Sequence, residues 1–165
     1  MKKLLAGIID ISIHNILSIK RALEYLGFDV VIINEQRNVE KFDLIVLPGV
    51  GAYREAMKKL TDTKLLLTIE QALNKNKNFL GICLGMQLLF EESEEFGLTK
   101  GIGFFRGKVE NFNKYNVDKP TFIGWNKIKF KKEQILIQER SLENKLLNSA
   151  FYFVHSFFVN CKDKE

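Results

Sequence analysis

A cysteine stands between two glycines in the stretch Asn78-Phe-Leu-Gly-Ile-Cys-Leu-Gly-Met-Gln-Leu-Leu-Phe90. A short apolar run leads into Cys83 and helical spacing follows it, so the stretch predicts a strand, a sharp turn and a helix with Cys83 at the apex. Gly81 and Gly85 would let such a strained turn form without clashes. The free N–H groups and the dipole of the next helix would favour a nucleophilic thiolate. The alternative interpretation is a buried structural cysteine.

The segment Pro48-Gly-Val-Gly51 is a second candidate for chemistry. A cysteine that attacks a carbonyl needs hydrogen-bond donors for the oxyanion that forms. The glycines would allow the N–H of Val50 or Gly51 to turn toward that oxygen, and the Leu84 N–H would be the second donor. An ordinary turn at the end of a strand is the alternative. Because both features are expected at one edge of a sheet, the catalytic interpretation is favoured.

A general base is harder to find, since the chain has two histidines. His14 lies at the start of the first predicted helix, where an exposed or capping role is usual. His155 lies inside an aromatic strand, where a core histidine with a satisfied ring is commonest. Neither has a carboxylate at an obvious orienting spacing. The residues alone therefore offer a nucleophile and an oxyanion hole but no convincing base.

The elements that must position these residues alternate between strands and helices. Strands are predicted at residues 4–9, 29–33 and 44–47, and helices at residues 53–60 and 64–74, before the strand that leads into Cys83. A first helix from His14 would stop at Gly27. Its apolar face would consist of Ile16, Ile19, Ala22, Leu23 and Leu26. This alternation predicts a mostly parallel sheet flanked by helices, with the active site at the carboxyl ends of the strands.

The last third of the chain has a different character. Glycines at positions 97, 101, 103 and 107 punctuate an aromatic stretch, which favours bent strands and turns. Residues 120–130 predict a strand with a kink at Gly124, residues 141–147 a short helix, and residues 150–159 a strand. An antiparallel β section is therefore expected in this third.

Composition limits the class of protein. The chain has 165 residues, of which 46% are hydrophobic and 27% charged, as expected of one domain with its own core. The net charge is +5 and the pI about 9.1, but spread lysines and the acidic run at residues 91–95 favour a solvated surface over nucleic-acid binding.

Cysteine usage and hydropathy favour a reduced, cytoplasmic protein. Cys83 and Cys161 lack the spacing of metal ligands, and no metal or cofactor is expected. The apolar run at the N-terminus is too short for a signal peptide and meets Asp10. No apolar segment approaches the length needed to span a membrane, so no membrane association is expected.

Four motifs together carry a specific resemblance. Gly81-Ile-Cys-Leu-Gly-Met-Gln87 resembles the nucleophile motif of the class I (triad) glutamine amidotransferases. In their order and spacing, Leu47-Pro-Gly-Val-Gly-Ala52, Ile123-Gly-Trp-Asn126 and Tyr152-Phe-Val-His-Ser156 are similar to the glutaminase subunits of imidazole glycerol phosphate synthase, in histidine biosynthesis. The resemblance covers the chain from its first strand to its last residues. It implies one amidotransferase domain over residues 1–165, with a flavodoxin-like sheet.

This resemblance implies a reaction and a set of residues. Cys83 would attack the side-chain amide of glutamine, form a glutamyl thioester and release ammonia, and water would then free glutamate. The ammonia would pass to a synthase subunit of the β/α-barrel type in a heterodimer. The amides of Val50 and Leu84 would form the oxyanion hole, and Gln87 and Glu91, one helical turn apart, would hold the glutamine. The other implied residues are Gly49, Gly51, His155, Ser156 and Phe157 for glutamine, and Asn15, Trp125 and Asn126 for the partner interface.

Two departures from the family pattern bear on partner and activity. After the first strand the family has Asp-Tyr-Gly-x-Gly-Asn, whereas this chain has Asp10-Ile-Ser-Ile-His-Asn15, a change near the partner-facing edge. The family's triad His and Glu come from a His-Pro-Glu motif that follows the strand of His155, and the 165 residues do not contain this motif. The resemblance then implies either a fragment of an active enzyme or a truncated, inactive glutaminase without the family's C-terminal segment.

Three alternatives remain. A paralogue in the same family would supply ammonia to another acceptor, such as an amidino group on a sugar, and the altered loop after the first strand would suit it. A binding or regulatory domain would keep the cysteine turn without the triad. A chaperone or peptidase with a similar cysteine turn would lack the Leu-Gly-Met-Gln continuation that this chain has after Cys83.

Overall fold

The structure, a computed structural model, describes residues 3–12, 15–115, 121–129 and 145–162. The chain divides into two compact units. The first unit comprises Met1–Glu110 with Val159–Glu165, and the second comprises Asn111–Phe158. The predicted helix start at His14 lies outside the described residues.

A four-stranded parallel sheet forms the centre of the first unit, as predicted. Its strands are β1 (Leu5–Ile9), β2 (Asp29–Ile33), β3 (Leu44–Gly49) and β4 (Asn78–Cys83), in the order β2-β1-β3-β4. Continuous apolar runs suit strands covered on both faces, and Ile8, Ile45 and Val46 are fully buried. The third strand is longer than predicted because Pro48 and Gly49 continue its pairing with β4.

Three helices connect these strands: α1 (Ile16–Tyr25), α2 (Tyr53–Asp62) and α3 (Leu65–Asn74). Helix α1 buries Leu23, and Gly27 with a φ of +90° follows its end, which confirms the predicted stop. The predicted apolar face is wrong at Ala22 and Leu26, which are exposed. Leu26 caps the helix beyond its last turn, and Ala22 lies about 100° round the axis from Leu23, outside the strip that contacts the sheet.

The helix predicted after Cys83 is present but is shorter than its predicted spacing through Glu91. Helix α4 (Leu84–Gln87) has four residues, and the chain then enters strand β5 (Phe90–Ser93). Leu88, Leu89 and Phe90 are all buried, at 0%, 5% and 7% exposure. Three consecutive buried side chains do not fit the single apolar stripe of a surface helix, and the chain leaves the helix among them.

Strand β5 belongs to a second, mixed sheet. It pairs antiparallel with β6 (Thr99–Lys100) and parallel with β7 (Phe105–Asn111). Adding β10 (Phe157–Cys161), the strand order is β10-β7-β5-β6. A Cβ at Gly107 would lie 2.3 Å from the carbonyl oxygen of Asn160, so β7 and β10 approach each other where only glycine fits.

The single strand predicted for residues 150–159 is interrupted. Strand β9 (Ala150–His155) ends before Ser156, and β10 begins after it. The break has a physical reason, since β9 pairs with β8 (Phe122–Lys127), whereas β10 belongs to the mixed sheet. The chain therefore changes sheets at Ser156.

The second unit contains the antiparallel pair of β8 and β9, which confirms the antiparallel section predicted for the last third. The register runs from Phe122 opposite His155 to Lys127 opposite Ala150. Gly124, at the predicted kink, has a φ of +154°. Of the predicted strand at 120–130 and helix at 141–147, residues 120, 130 and 141–144 lie outside the described residues, and residues 145–147 are helical. Across the described ranges, no helix is both long enough and apolar enough to cross a membrane.

Candidate active site

Cys83 occupies the strained turn that its sequence predicts. It is the last residue of β4, with a φ of +54° and a ψ of −116°, and it is exposed. A positive φ is uncommon for a residue other than glycine and persists only where the surrounding structure enforces it. The thiol is therefore held out of the sheet at the carboxyl end of β4, where a nucleophile can reach a substrate.

Close backbone packing explains the glycines around Cys83. A Cβ at Gly85 would lie 1.8 Å from the carbonyl oxygen of Leu47, and a Cβ at Gly81 would lie 2.7 Å from the Cα of Met86. At Gly49 it would lie 2.9 Å from the Gly85 nitrogen. The backbones of β3, β4 and α4 therefore meet directly, and any larger residue would push α4 away from the sheet.

The predicted oxyanion loop begins beside the thiol. Gly49 is the register partner of Cys83 at the ends of β3 and β4. Val50 follows it with 46% of its surface exposed, and Gly51 has a φ of +103°. Leu84 is the first residue of α4, where backbone N–H groups have no partner within the helix. Both candidate donors are thus attached directly to the paired strand ends.

A small cleft of about 90 Å³ lies beside the thiol. Cys83, Gly49, Val50 and Asn15 all contribute to its wall, so the structure brings together four residues predicted from the sequence. The other lining residues are mainly apolar: Ile9, Ile11, Ile16, Ile19, Pro48 and Ile82. An apolar wall of this kind would strengthen any electrostatic interaction made inside the cleft.

The short helix α4 changes two expectations about the site. A dipole sums over aligned peptide units, so four residues supply much less of it than the predicted helix would. Glu91 lies in β5, and its carboxylate accepts a hydrogen bond of 2.7 Å from the Gly107 N–H. The predicted placement of Glu91 one helical turn after Gln87 is therefore wrong. Gln87 is half-buried at the end of α4.

Three contacts that no sequence pattern predicted join the start of α2 to the β5–β6 turn and the first residue of β6. The Tyr53 N–H donates to the Glu95 carboxylate at 2.7 Å. The Arg54 guanidinium donates to the Phe96 carbonyl at 2.8 Å and to the Thr99 hydroxyl at 3.2 Å. We call these three hydrogen bonds the α2 clamp. They connect residues more than 40 positions apart, so no local pattern signals them.

Tyr53 also carries a buried hydroxyl group. Its side chain is 1% exposed, and its hydroxyl has no hydrogen-bond partner among the described residues. Burial, and secondly the negative charge of Glu92, raise the pKa of Tyr53 above its usual value of 10. The phenol therefore stays neutral at physiological pH.

In the second unit, His155 has the satisfied ring that its aromatic surroundings predict. Its Nδ1 lies 2.9 Å from the Phe157 carbonyl oxygen, which is therefore the acceptor for an Nδ1–H. The ring packs near Phe112, Phe122 and Phe153, with centroid distances of 5.3 to 6.1 Å. Ser156 accepts a hydrogen bond from the Phe112 N–H at 3.2 Å. The roles of these residues in binding glutamine remain predictions.

The predicted interface residues of the second unit lie on β8. Trp125 is 70% exposed and stands opposite Tyr152, with the ring centroids 5.5 Å apart. Asn126 is exposed and accepts a hydrogen bond of 2.8 Å from the Lys127 N–H. No cluster of three or more His, Cys, Asp or Glu side chains that could hold a metal ion occurs within the described ranges.

Comparison with known proteins places the chain in a family. The family described as glutamine amidotransferase class-I matches residues 7–164. The HisH 2 subunit of imidazole glycerol phosphate synthase from Vibrio vulnificus (strain YJ016) is 43% identical over 159 residues, 95% of this chain and 72% of the relative. The HisH subunit from Aquifex aeolicus (strain VF5) is 42% identical over 158 residues, 95% of this chain and 73% of the relative.

Two solved structures share the fold at low identity. PurLQS from Thermotoga maritima superposes with a TM-score of 0.69 at 18% identity, over 99% of this chain and 72% of that chain. A structure described as a glutamine amidotransferase has a TM-score of 0.57 at 17% identity, over 73% of this chain and 62% of that chain. The strained Cys83 turn, the parallel sheet and the family match agree, and this chain belongs to the class I glutamine amidotransferase family.

Proposed function

We propose that the chain is the glutaminase subunit of an imidazole glycerol phosphate synthase, which releases ammonia from glutamine for histidine biosynthesis. The observation that carries the proposal is the strained Cys83 turn with the Val50 loop beside it in one cleft. The HisH subunits that match about 95% of the chain at about 40% identity support the choice of reaction.

The chemistry follows from the groups at the end of β4. The Cys83 thiolate attacks the side-chain amide carbon of glutamine, and the carbonyl oxygen becomes an oxyanion that accepts hydrogen bonds from the Val50 and Leu84 amides. The intermediate collapses when the amide nitrogen is protonated, the C–N bond breaks and ammonia leaves. Water then attacks the glutamyl thioester and the C–S bond breaks. Glutamate is released and the Cys83 thiolate is regenerated.

The proton transfers of this reaction need a general base, and the described residues do not offer an obvious one. His155 belongs to the second unit, and its Nδ1 is occupied by the Phe157 carbonyl oxygen. Its ring also lies among aromatic side chains, as in a structural histidine. We therefore do not assign His155 as the base. The contact of His155 and of the Ser156 and Phe157 backbone with glutamine stays a prediction from the family resemblance.

Substrate and partner contacts complete the proposal. In this proposal Gly49, which lines the cleft beside Cys83, holds the glutamine together with Gly51 and Gln87. Trp125, with an exposed ring on β8, and Asn126 face the β/α-barrel subunit that consumes the ammonia. Exposed aromatic side chains of this kind are common anchors in protein interfaces.

A second candidate differs only in the acceptor of the ammonia. In the described part of the loop after β1, this chain has Ile11 where the family pattern has Tyr, and Ser12 where it has the first Gly. Ile11 is buried and lines the cleft beside Cys83, and Ser12 adopts a φ of +63° with its N–H 2.6 Å from the Asp10 carboxylate. The changed residues at this edge would suit a paralogue that serves a different synthase.

The test is a glutaminase assay with matched cysteine variants, in the presence of the barrel subunit. We expect Cys83→Ser to lower glutamate release by at least about a thousandfold, because the nucleophile is lost while substrate binding remains. Cys161→Ser, the control at the other exposed cysteine, should leave the rate unchanged. Diazo-oxo-norleucine, a glutamine-derived electrophile, should label Cys83 and spare Cys161.

The assay also separates the two candidates and the alternatives. Stimulation of glutamine hydrolysis by the histidine-pathway cyclase supports the first candidate, and stimulation by an amidino-sugar synthase alone supports the second. Equal labelling of both cysteines, or full activity of Cys83→Ser, would contradict the glutaminase assignment.

A further inference from the structure

The two chain segments that leave the oxyanion donors meet again at the α2 clamp. Val50 leads through Gly51 and Ala52 into α2, whose first two residues are Tyr53 and Arg54. Leu84 leads through α4 and β5 into the turn that carries Glu95 and Phe96, and then to Thr99 at the start of β6. The clamp therefore ties together the continuations of both donor segments, all within the first unit.

The segments that contain the Val50 and Leu84 amides are held together at two points, first at the ends of β3 and β4 and again at the α2 clamp. At the first point, Gly49 pairs with Cys83 and Gly85 packs against the Leu47 carbonyl, so the chain is fixed just before Val50 and just after Leu84. At the second point, the clamp fixes the chain just after Ala52. The free stretch is then Val50 to Ala52, and it contains Gly51, whose open surroundings and φ of +103° leave it conformational freedom.

Arg54 contributes two of the three clamp bonds. Its planar guanidinium presents several N–H donors in a fixed arrangement, and hydrogen bonds from a charged donor are stronger than those between neutral groups. The acceptor turn is shaped to meet it, since Phe96 and Gly97 have φ values of +52° and +99°. A Cβ at Gly97 would lie 3.1 Å from the Arg54 Nη2, so this side of the exposed arginine packs against the turn.

The geometry points to Arg54 as a positioning residue for the glutaminase reaction, which holds the Val50 amide in place through the α2 clamp. This inference rests on the proposed function. The oxyanion develops in the transition state and is present in the tetrahedral intermediate but not in bound glutamine, so a displaced donor slows turnover and leaves binding of glutamine unchanged. A well-placed donor accelerates such reactions by about 10²–10³-fold, which bounds the effect from above.

The first test is steady-state kinetics of the full chain with its barrel subunit. We expect Arg54→Ala to lower kcat about 10- to 100-fold with KM changed by less than about twofold. Arg54→Lys keeps the positive charge but replaces the forked guanidinium by a single ammonium group. It should therefore restore part of the lost kcat. Arg21→Ala, which removes an exposed arginine from α1, is the matched control and should behave as the wild type.

A second measurement follows the mobility of the Val50 loop independently of catalysis. Amide hydrogen exchange in a peptide covering residues 49–53 should become about tenfold faster in Arg54→Ala, with β1 unchanged. Unchanged exchange in this peptide, or a loss of kcat/KM caused by KM alone, would overturn the positioning role. A wild-type chain that turns over no glutamine with its partner would instead overturn the proposed function, and the exchange data would still decide whether Arg54 fixes the loop.

Discussion

The parallel sheet around Cys83 and the β8–β9 pair contain similar apolar residues in opposite environments. Ile45 and Val46 on β3 are fully buried, since β3 lies between β1 and β4. On β8 and β9 every second side chain shares one face, and that face is largely exposed. Its residues are Ile123 at 63%, Trp125 at 70%, Tyr152 at 56% and Val154 at 61%.

The backbones of the two regions differ in the same way. Glycines around Cys83 lie against neighbouring backbone atoms, whereas a Cβ at Gly124 on β8 would meet nothing within 4 Å. The turn at Cys83 therefore depends on a close internal fit, whereas the β8–β9 pair presents an exposed apolar face. Composition alone does not separate these cases, because burial is decided by how many layers and neighbours cover a strand.

Among these substitutions, Gly85→Ala should destabilise the protein most, because it acts in the closely packed region around Cys83. The new methyl group would meet the Leu47 carbonyl oxygen at 1.8 Å, so α4 must move away from β3. We expect a loss of about 3 kcal/mol or more in the free energy of unfolding, measured by chemical denaturation. Labelling of Cys83 by diazo-oxo-norleucine should also fall.

The matched control in the second region is Gly124→Ala. Space is available there, and only the positive φ opposes the substitution, at a cost of about 1–2 kcal/mol. If the two substitutions destabilise the protein equally, the contrast between a close fit around Cys83 and an open β8 strand is wrong.

Replacing one buried and one exposed isoleucine by valine should give a smaller difference in the free energy of unfolding between the two regions. Ile45→Val removes packing from a site with 0% exposure and should cost about 1 kcal/mol. Ile123→Val acts at a site with 63% exposure and should change the free energy of unfolding by less than about 0.5 kcal/mol. Urea denaturation of both variants measures the difference, and a cost at Ile123 as large as that at Ile45 would show that this face of β8 is covered in the folded protein.

Tyr53→Phe should give the smallest effect, and with the opposite sign. It removes a buried hydroxyl without a partner among the described residues, which we expect to stabilise the fold by about 0.5–1 kcal/mol at neutral pH. Thermal denaturation of the variant against the wild type measures this gain.

The pH dependence of the same variant tests the raised pKa of Tyr53. Below the unfolded pKa of about 10, the phenol is neutral in both states and ionisation makes no difference. Above it, the unfolded chain ionises while the folded protein does not, so the wild type loses stability as pH rises. Tyr53→Phe should lose less between pH 9 and about 11, and parallel losses in the two proteins would contradict a raised pKa.

Local patterns predicted the first half of the fold well. Apolar runs located β1 to β4, and spacing with Gly27 located α1 and its end, because both signals lie within a few neighbouring residues. After the short helix that follows Cys83, local patterns predicted the wrong element, because burial by distant parts of the chain decides the structure there. Leu88 to Phe90 fit a helical count in the sequence, but all three are buried and the chain becomes β5.

The sequence by itself determined the backbone turn at the end of β4. Cys83 between Gly81 and Gly85 specifies a strained turn, since steric limits on backbone angles act within a few residues. Only the tertiary structure decided what surrounds that turn. It directs Glu91 to the Gly107 amide, and it places Arg54 against the turn at Phe96 and against Thr99. Such contacts join residues 16 to 45 positions apart, and they depend on how strands pair rather than on any local pattern.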